Sequence, residues 1–236
     1  MRASDATDSA ADELKRSAAT WATEQLKDGM VVGLGSRSTA SFAVSAIGQL
    51  VKAGLRVVGV PTSEKTATQA RSLGIPLATL GECPEIDVTI DGADEVELRT
   101  LNLIKGGGGN LLREKIVASA SKRLIIVVDQ SKLVSRLGSH VSVPVECAQF
   151  GWQSTARRLH ALGSKPVARM DAGGKMFITD GGNCILDCPF GTIESAGELQ
   201  SQLDATVGVV EHGLFIGLAC QVVVGAAGGV QVLERH

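Results

Sequence analysis

Residues Asp87–Lys115 read DVTIDGADEVELRTLNLIKGGGGNLLREK, and this stretch decides both the fold and the site. It combines the end of a strand, a closely spaced group of acids (Asp91, Asp94, Glu95, Glu97), Lys105, four consecutive glycines and the start of a helix. Acids beside a lysine and a glycine run are poor material for a hydrophobic core. The stretch therefore predicts a site that binds an anionic ligand and moves its protons.

Strands and helices alternate on both sides of this stretch. The apolar patterns predict strands over Met30–Leu34, Arg56–Val60, Ile86–Ile90 and Leu124–Asp129. They predict helices over about Asp5–Leu26, from GLGSRSTA to about Lys52, after the caps Thr62 and Ser63, and over about Asn110–Ala120. This alternation predicts an α/β fold with a Rossmann-like parallel sheet flanked by helices, whose ligands bind beyond the carboxyl ends of the strands.

The pattern changes after Val141. Predicted elements are strands at Val143–Cys147, Val167–Met170, Lys175–Thr179, Asn183–Asp187 and Val207–Val210, and helices near Gln149–Leu162 and Ala196–Leu203. They indicate a smaller α+β domain of ferredoxin-like type. Leu214–Leu233 contains apolar runs broken by Gly225 and Gly228-Gly229. We predict a catalytic α/β domain over 1–141 plus about 211–236, and a small α+β domain over 142–210.

Composition excludes several classes of protein. The 236 residues carry a formal net charge of −2 and no tyrosine, which argues against nucleic-acid binding. The acidic N-terminal sequence does not resemble a signal peptide, and the apolar runs are too short to cross a membrane. The five cysteines form no C-x-x-C pair, which favours reduced thiols over disulfides or a metal site. We expect a cytoplasmic protein, or an organellar one if a transit peptide was removed.

The segment GLGSRSTA (Gly33–Ala40) follows a strand and opens a helix. Its amides and the hydroxyls of Ser36, Ser38 and Thr39 suit a phosphate group. A tight turn with a serine cap is the alternative interpretation of this segment. It is neither the dinucleotide fingerprint nor a P-loop.

The acids and the glycine run each have a plainer interpretation. Asp91 and Asp94 bracket Gly92-Ala93 at a strand end, where acids commonly cap turns. Lys105 precedes Gly106–Gly109, which lets amides approach a ligand closely, whereas a linker is the alternative. A helical glutamate or a loop lysine is usually a surface residue. Glu114 and Lys132 are candidates only because Glu114 lies near the glycine run and Lys132 follows the fourth predicted strand. The four histidines share no motif.

Taken together, these segments resemble the ribose-5-phosphate isomerase A family. The matching segments are DELKR, GLGSRSTA, PTSEKTATQA, DVTIDGADEVE, IKGGGGNLLREKIVAS, VVDQSKLVSRLG, VPVEC, ITDGGNCILD and GVVEHGLF, and they span nearly the whole chain. DGADE followed by KGGGG and REK is the most specific part.

The resemblance implies interconversion of D-ribose 5-phosphate and D-ribulose 5-phosphate, in the non-oxidative pentose phosphate pathway, without cofactor or metal. It implies that Glu114 is the general base, that Lys105 and the amides of Gly106, Gly107 and Gly108 hold sugar oxygens, and that Asp91 and Asp94 act near the hydroxyls. Further substrate contacts are implied at Lys15, Ser36, Arg37, Ser38, Thr39, Gly92, Ala93 and Lys132. It also implies a homodimer or homotetramer.

One departure from the family concerns Arg37, which stands where the family usually has glycine. If the position has a positive φ, arginine is strained there by about 1 kcal/mol. Its guanidinium could also contact the phosphate. Two other functions stay open: a related amino-sugar-phosphate deaminase, which would use a catalytic histidine, and a sugar-phosphate sensor domain without enzymatic activity.

Overall fold

The computed structural model describes residues 3–235, with side chains described from residue 12 onward. These residues form two compact units. The larger unit contains the described residues of Met1–Ala93, Ile116–Leu133 and Leu218–His236, and the smaller unit contains Asp94–Lys115 and Val134–Gly217. The sequence analysis grouped Asp94–Lys115 with the catalytic domain. Compactness does not test which segments fold independently, so the domain bounds stay a prediction.

The helices and strands follow in chain order. They are α1 (Ala3–Thr23), β1 (Val31–Leu34), α2 (Arg37–Lys52), β2 (Val58–Pro61), α3 (Glu64–Ser72), β3 (Val88–Asp91), β4 (Glu95–Glu97), β5 (Leu103–Ile104), α4 (Leu111–Ser119), β6 (Leu124–Asp129), a short 3-10 helix (Gln130–Lys132), β7 (Leu133–Val134), β8 (Val143–Cys147), α5 (Trp152–Ala161), β9 (Val167–Ala168), β10 (Cys184–Cys188), α6 (Ala196–Asp204), β11 (Val209–His212), β12 (Leu214–Phe215), β13 (Gln221–Ala226) and β14 (Gly229–Glu234).

The larger unit is built on a six-stranded sheet with the order β14-β13-β6-β3-β1-β2. All neighbouring pairs are parallel except β13 with β14, so the predicted parallel sheet is confirmed. Every residue of β6 is buried, as expected for a strand covered on both faces. Helices α1, α2 and α3 pack on one face, and Val117 of α4 packs with Val60 and Ile86 on the other.

Gly225 lies inside β13 and does not interrupt it, which corrects the prediction of a break there. A Cβ atom at Gly225 would lie 2.0 Å from the carbonyl oxygen of Leu14. The glycine therefore lets α1 approach the strand closely. The chain reverses instead between β13 and β14, where Gly229 has a φ of +118°.

The smaller unit contains the sequence β8-α5-β9-β10-α6-β11, and its antiparallel sheet has the order β11-β8-β10-β9. This is the ferredoxin-like arrangement that the sequence predicts. The predicted strand Lys175–Thr179 is absent, and only two isolated bridges, at Met176 and Ile178, stand in its place. Asp171 folds the preceding turn by accepting the N–H groups of Gly173 and Lys175.

A second small sheet has the order β12-β5-β4-β7, and the antiparallel pair β4–β5 belongs to it. Among the described helices, none combines the length and the apolar character needed to cross a bilayer.

Candidate active site

Polar segments of the larger unit follow three neighbouring parallel strands. Gly35–Thr39 follows β1, Gly92-Ala93 follows β3, and the 3-10 helix that contains Lys132 follows β6. Because parallel strands end at one edge of a sheet, these segments lie along the same edge. This is the edge where the sequence analysis expected the ligand.

Asp91 is a buried anchor for the loop after β1. Its Oδ1 atom accepts the N–H groups of Ser36, at 3.1 Å, and of Gly92, at 2.7 Å. A Cβ atom at Gly35 would lie 2.2 Å from the same oxygen. Gly35 is therefore needed for the loop to reach the carboxylate, and Asp91 holds the backbone of two of the predicted substrate-binding segments.

The side chain of Ser36 is buried among other hydroxyl groups. Its Oγ lies 2.6 Å from Oγ1 of Thr62 and donates to Oγ of Ser63 at 3.1 Å. Thr66 completes this hydroxyl cluster by donating to the carbonyl of Gly35 at 3.1 Å. Of the two predicted caps, Ser63 caps α3 by accepting the N–H of Thr66, whereas Thr62 instead donates its hydroxyl to the carbonyl of Leu34. The hydroxyl of Ser36 thus joins two loops, and its N–H is held by Asp91, so both groups make contacts within the protein.

The next three residues of this loop are more accessible. Arg37 and Ser38 are exposed, and Thr39 is half-buried. Arg37 has a φ of +72°, the left-handed conformation considered for this position in the sequence analysis. A side chain with a Cβ atom is strained by about 1–2 kcal/mol in that conformation.

Two further cations of the larger unit, Lys132 and Lys15, were predicted to contact the substrate, and they differ in their surroundings. Lys132 is half-buried at the end of the 3-10 helix, after the carboxyl end of β6. Lys15 forms an ion pair with Asp12 inside α1, with Nζ 3.2 Å from Oδ1. Its side chain is 18% exposed, so a phosphate could reach it only by competing with Asp12.

The smaller unit brings Lys105 and Glu114 together. Lys105 Nζ lies 3.3 Å from Glu114 Oε2, and both side chains are almost fully buried, with 4% and 3% exposed. A buried ion pair is costly to form because both groups lose their hydration. Such a pair is therefore weak evidence for a stabilising role.

Local backbone contacts position these two side chains. The N–H of Lys105, just after β5, donates to the carbonyl of Gly213 at 2.9 Å. A Cβ atom at Gly213 would lie 2.2 Å from the Lys105 carbonyl oxygen, so the close approach needs glycine. Glu114 lies in the first turn of α4, and its N–H donates to the carbonyl of Asn110 at 2.9 Å.

The glycine run between them is a folded loop and not a linker. Gly106 and Gly109 have φ values of +100° and +83°. The N–H of Gly107 donates to Oδ2 of Asp94 at 2.8 Å. Gly107 is exposed and Gly108 is half-buried, so this part of the loop is open to a ligand. Asp94, Lys105 and Glu114 thus belong to one compact unit with the glycine loop.

Phe215 and Lys115 were missed by the sequence analysis. The ring of Phe215 is fully buried, and the ammonium groups of Lys105 and Lys115 lie 5.5 and 5.1 Å from its centre. Both distances suit cation–π contacts. Phe215 ends the segment GVVEHGLF, and Lys115 directly follows Glu114. Neither residue type suggested a role by itself, although both segments were already noted as family matches.

Lys115 contacts a polar cluster formed by Asp204, Glu211 and His212. Lys115 Nζ lies 2.5 Å from Glu211 Oε1, and His212 Nε2 lies 3.1 Å from Asp204 Oδ1. Burial lowers the pKa of Lys115, which Glu211 partly offsets. Burial and the charge of Lys115 lower the pKa of His212.

The cluster is also the one described group of side chains whose ligand atoms could surround a metal ion, since these atoms lie within 4.8 Å of one another. A cation there would have to compete with the Lys115 ammonium.

The five cysteines are free thiols. Cys147, Cys184 and Cys188 are buried, and Cys83 and Cys220 are half-buried. Burial raises the pKa of Cys188 to about 12 and also raises the pKa of Cys147 and Cys184. These three thiols therefore lack the thiolate character of a nucleophile.

Comparison with known proteins tests the resemblance directly. The model of the family described as ribose 5-phosphate isomerase A (phosphoriboisomerase A) matches residues 58–229. The chain belongs to the ribose 5-phosphate isomerase A family. The matched range includes Asp91, Asp94, Lys105 and Glu114, whereas the loop at Ser36–Thr39 lies before it.

Individual relatives extend the ribose 5-phosphate isomerase A match over nearly the whole chain. The ribose-5-phosphate isomerase A of Gloeobacter violaceus is 58% identical over 222 residues, which are 94% of this chain and 96% of the relative. The ribose 5-phosphate isomerase A structure from Methanocaldococcus jannaschii is 40% identical, with a TM-score of 0.91 over 94% of this chain and 99% of the other.

A D-ribose-5-phosphate isomerase solved in complex with phospho-erythronic acid is similar to the same degree. It is 38% identical, with a TM-score of 0.92 over 95% of this chain and 99% of the other. The family and the fold predicted from the sequence are therefore confirmed.

Proposed function

We propose that this chain interconverts D-ribose 5-phosphate and D-ribulose 5-phosphate by moving a proton between C1 and C2 through an enediolate. The family membership supports the reaction. The buried Lys105–Glu114 pair, with Nζ and Oε2 3.3 Å apart, is the observation that supports the chemistry. It couples a carboxylate that can take a proton from carbon to a cation that can stabilise negative charge on oxygen.

The proposed steps follow from these two groups. The Glu114 carboxylate takes the proton from C2 of the open-chain aldose, and the electrons of the C–H bond form the C1–C2 double bond. The carbonyl electrons move to O1, where the Lys105 ammonium stabilises the charge. Glu114 then returns the proton to C1, and the proton of the C2 hydroxyl moves to O1 as the C2 carbonyl forms.

The two aspartates have different proposed roles. Asp94 shares a unit with Lys105 and Glu114, is half-buried, and accepts the N–H of Gly107. We assign to Asp94 the proton transfers that open the furanose ring. Asp91 is 1% exposed and holds the N–H groups of Ser36 and Gly92. Its proposed role is to shape the loops that bind substrate.

The phosphate is assigned to the N-terminus of α2. The amides and the partial positive charge at this helix end favour an anion. Exposed Arg37 and Ser38, half-buried Thr39 and the cations Lys132 and Lys15 supply further contacts. Gly92, Ala93, Gly106, Gly107 and Gly108 are proposed to contact the sugar through their backbone. The chain is further proposed to work in the cytoplasm. We also propose that it forms a homodimer or homotetramer, and sedimentation of the purified protein would test this oligomeric state.

Turnover of ribose 5-phosphate tests the proposed function. We expect the proton signals of ribulose 5-phosphate to appear in the NMR spectrum when the purified chain is added, without any added metal or cofactor. The sensor-domain alternative predicts saturable binding of ribose 5-phosphate in a calorimetric titration and no ketose. Release of ammonia from an amino-sugar phosphate, without ketose formation from ribose 5-phosphate, would instead identify a deaminase.

A further inference from the structure

Arg169 directly follows β9 in the smaller unit and is locked to Asp187 of β10. Its Nε donates to Asp187 Oδ2 at 2.9 Å, and its Nη2 donates to Asp187 Oδ1. The Arg169 side chain is only 16% exposed. A bidentate pair of this kind fixes the plane of the guanidinium, because the two parallel hydrogen bonds allow little rotation.

The third nitrogen of the guanidinium, Nη1, contacts the glycine loop. Nη1 of Arg169 lies 2.8 Å from the carbonyl oxygen of Gly106 and 3.4 Å from that of Gly107. The Gly106 carbonyl and the Gly107 N–H belong to one planar peptide group. This N–H donates to Asp94 Oδ2 at 2.8 Å. One peptide group is therefore held by a cation at its oxygen and by a carboxylate at its nitrogen.

Residues Arg169–Phe177 form a hairpin, with an antiparallel bridge between Met170 and Met176, and this hairpin contacts the glycine loop a second time. The N–H of Phe177 donates to the carbonyl of Arg169 at 2.8 Å. A Cβ atom at Gly109 would lie 2.4 Å from the ring of Phe177. The loop thus meets the hairpin at both ends, through the Arg169 guanidinium at Gly106 and the Phe177 ring at Gly109.

We propose that Arg169 is a positioning residue for the reaction. Asp187 orients Arg169, Arg169 fixes the Gly106–Gly107 peptide group, and that peptide group holds the Asp94 carboxylate at the glycine loop. A cation on the carbonyl oxygen also polarises the peptide group and strengthens the hydrogen bond from its N–H to Asp94. This inference rests on the proposed function, which gives Asp94 and the glycine loop their chemical roles.

The experiment compares Arg169→Ala with Arg56→Ala. Arg56 also pairs with an aspartate, since its Nε and Nη2 both donate to Oδ2 of Asp28, but Arg56 is largely exposed and lies in the larger unit. We expect Arg169→Ala to lower kcat by about ten- to a hundredfold, with a smaller change in KM, because misplacing a reacting group has effects of this size. Arg56→Ala is expected to keep the parent kcat.

Guanidinium rescue separates positioning from a loss of folded protein. We expect low, non-denaturing guanidinium chloride to raise kcat of Arg169→Ala several-fold, while sodium chloride at the same ionic strength does not. It should not raise kcat of the parent or of Glu114→Gln. A kcat for Arg169→Ala within twofold of Arg56→Ala, or a loss that guanidinium leaves unchanged, would overturn the proposal.

Arg169→Lys decides the case if Arg169→Ala does not fold. One ammonium group keeps the charge beside Asp187 but lacks the planar fork that serves Asp187 and Gly106 together. We expect a folded protein with a kcat reduced at least about fivefold and a similar KM. A parent-like kcat would refute the positioning role.

Glu114→Gln is measured in parallel. If Glu114→Gln retains activity, the proposed role of Glu114 as the base is wrong. Activity lost in Glu114→Gln, with Arg169→Lys behaving like the parent, removes only the role of Arg169.

Discussion

Lys105 Nζ and Glu114 Oε2 lie 3.3 Å apart in the interior of the smaller unit. The two residues are joined by the glycine loop and the first turn of α4, so a short piece of chain carries both charges into the interior. This arrangement places a carboxylate and its counter-charge where water does not weaken their interaction.

Removal of Lys105 is expected to destabilise the protein more than removal of an exposed lysine. Lys105→Met leaves the buried Glu114 carboxylate without its cation, which costs about 3–5 kcal/mol for buried pairs. Lys122→Met, which breaks an exposed pair with Asp87, should change the free energy of unfolding little. Urea unfolding measures both. The double variant Lys105→Met/Glu114→Gln should recover part of the loss, and strictly additive effects would contradict the coupling.

The two aspartates should respond differently to substitution by asparagine. Asp94→Asn removes the carboxylate that is proposed to transfer protons during ring opening, and it should lower kcat by about a hundredfold. Asp91→Asn weakens the anchor of the loop after β1 and should mainly raise KM. Steady-state kinetics with ribose 5-phosphate distinguish the two effects. A large loss of kcat in Asp91→Asn, with a parent-like kcat in Asp94→Asn, would reverse the assignment.

Arg37→Gly should change stability and substrate affinity in opposite directions. Glycine at φ +72° removes strain of about 1–2 kcal/mol, while its greater freedom in the unfolded chain offsets about 0.5–1 kcal/mol. We expect a small net gain in unfolding free energy and a higher KM, because the proposed contact between the guanidinium and the phosphate is lost. Arg37→Ala is the control, since it removes the charge but keeps the strain. An unchanged KM in both variants would exclude the phosphate contact.

The stability of the protein should fall in mild acid because of His212. The pKa of this buried imidazole is lowered from 6.5 in the folded protein, mainly by burial and then by Lys115. The unfolded chain therefore binds a proton more readily, and stability is lost as the pH falls from 6.5 through the folded pKa. Urea unfolding at neutral pH and at about pH 5 should show a smaller loss for His212→Gln than for the parent.

The exposed His140 provides the control for this measurement. His140→Gln should leave the loss of stability in acid unchanged. An equal loss in the parent and in His212→Gln would show that other groups cause the acid sensitivity.

The order of elements was predictable from sequence because the strands of the larger sheet are mainly apolar and are followed by polar segments. Leu124–Asp129 was predicted with the observed bounds, since a strand covered on both faces contains only apolar residues before its polar end. Lys175–Thr179 is not a continuous strand, because it pairs with a different segment on each side, through one bridge to Met170 and one to Cys184. Alternating residue types alone do not distinguish these cases.

The candidate site was predictable where the chemistry lies in consecutive residues. Asp94, Lys105, the glycines and Glu114 stand in one stretch of sequence, and their types indicate an anion and proton site. Arg169 and Phe215 reach the site by tertiary contacts, so no local pattern marks them. The buried state of the Ser36 hydroxyl was equally hidden, because its partners Thr62 and Ser63 follow a different strand.

The most direct test of the central claim follows proton exchange at C1 and C2 by NMR in heavy water. The parent protein should convert ribose 5-phosphate to the ketose and place deuterium on the carbon that receives the proton. Glu114→Gln should form no ketose and exchange no carbon-bound proton above the uncatalysed rate, while Glu198→Gln, at an exposed first-turn glutamate of α6, should behave like the parent. Exchange by Glu114→Gln at a rate near that of the parent would show that another group moves the proton.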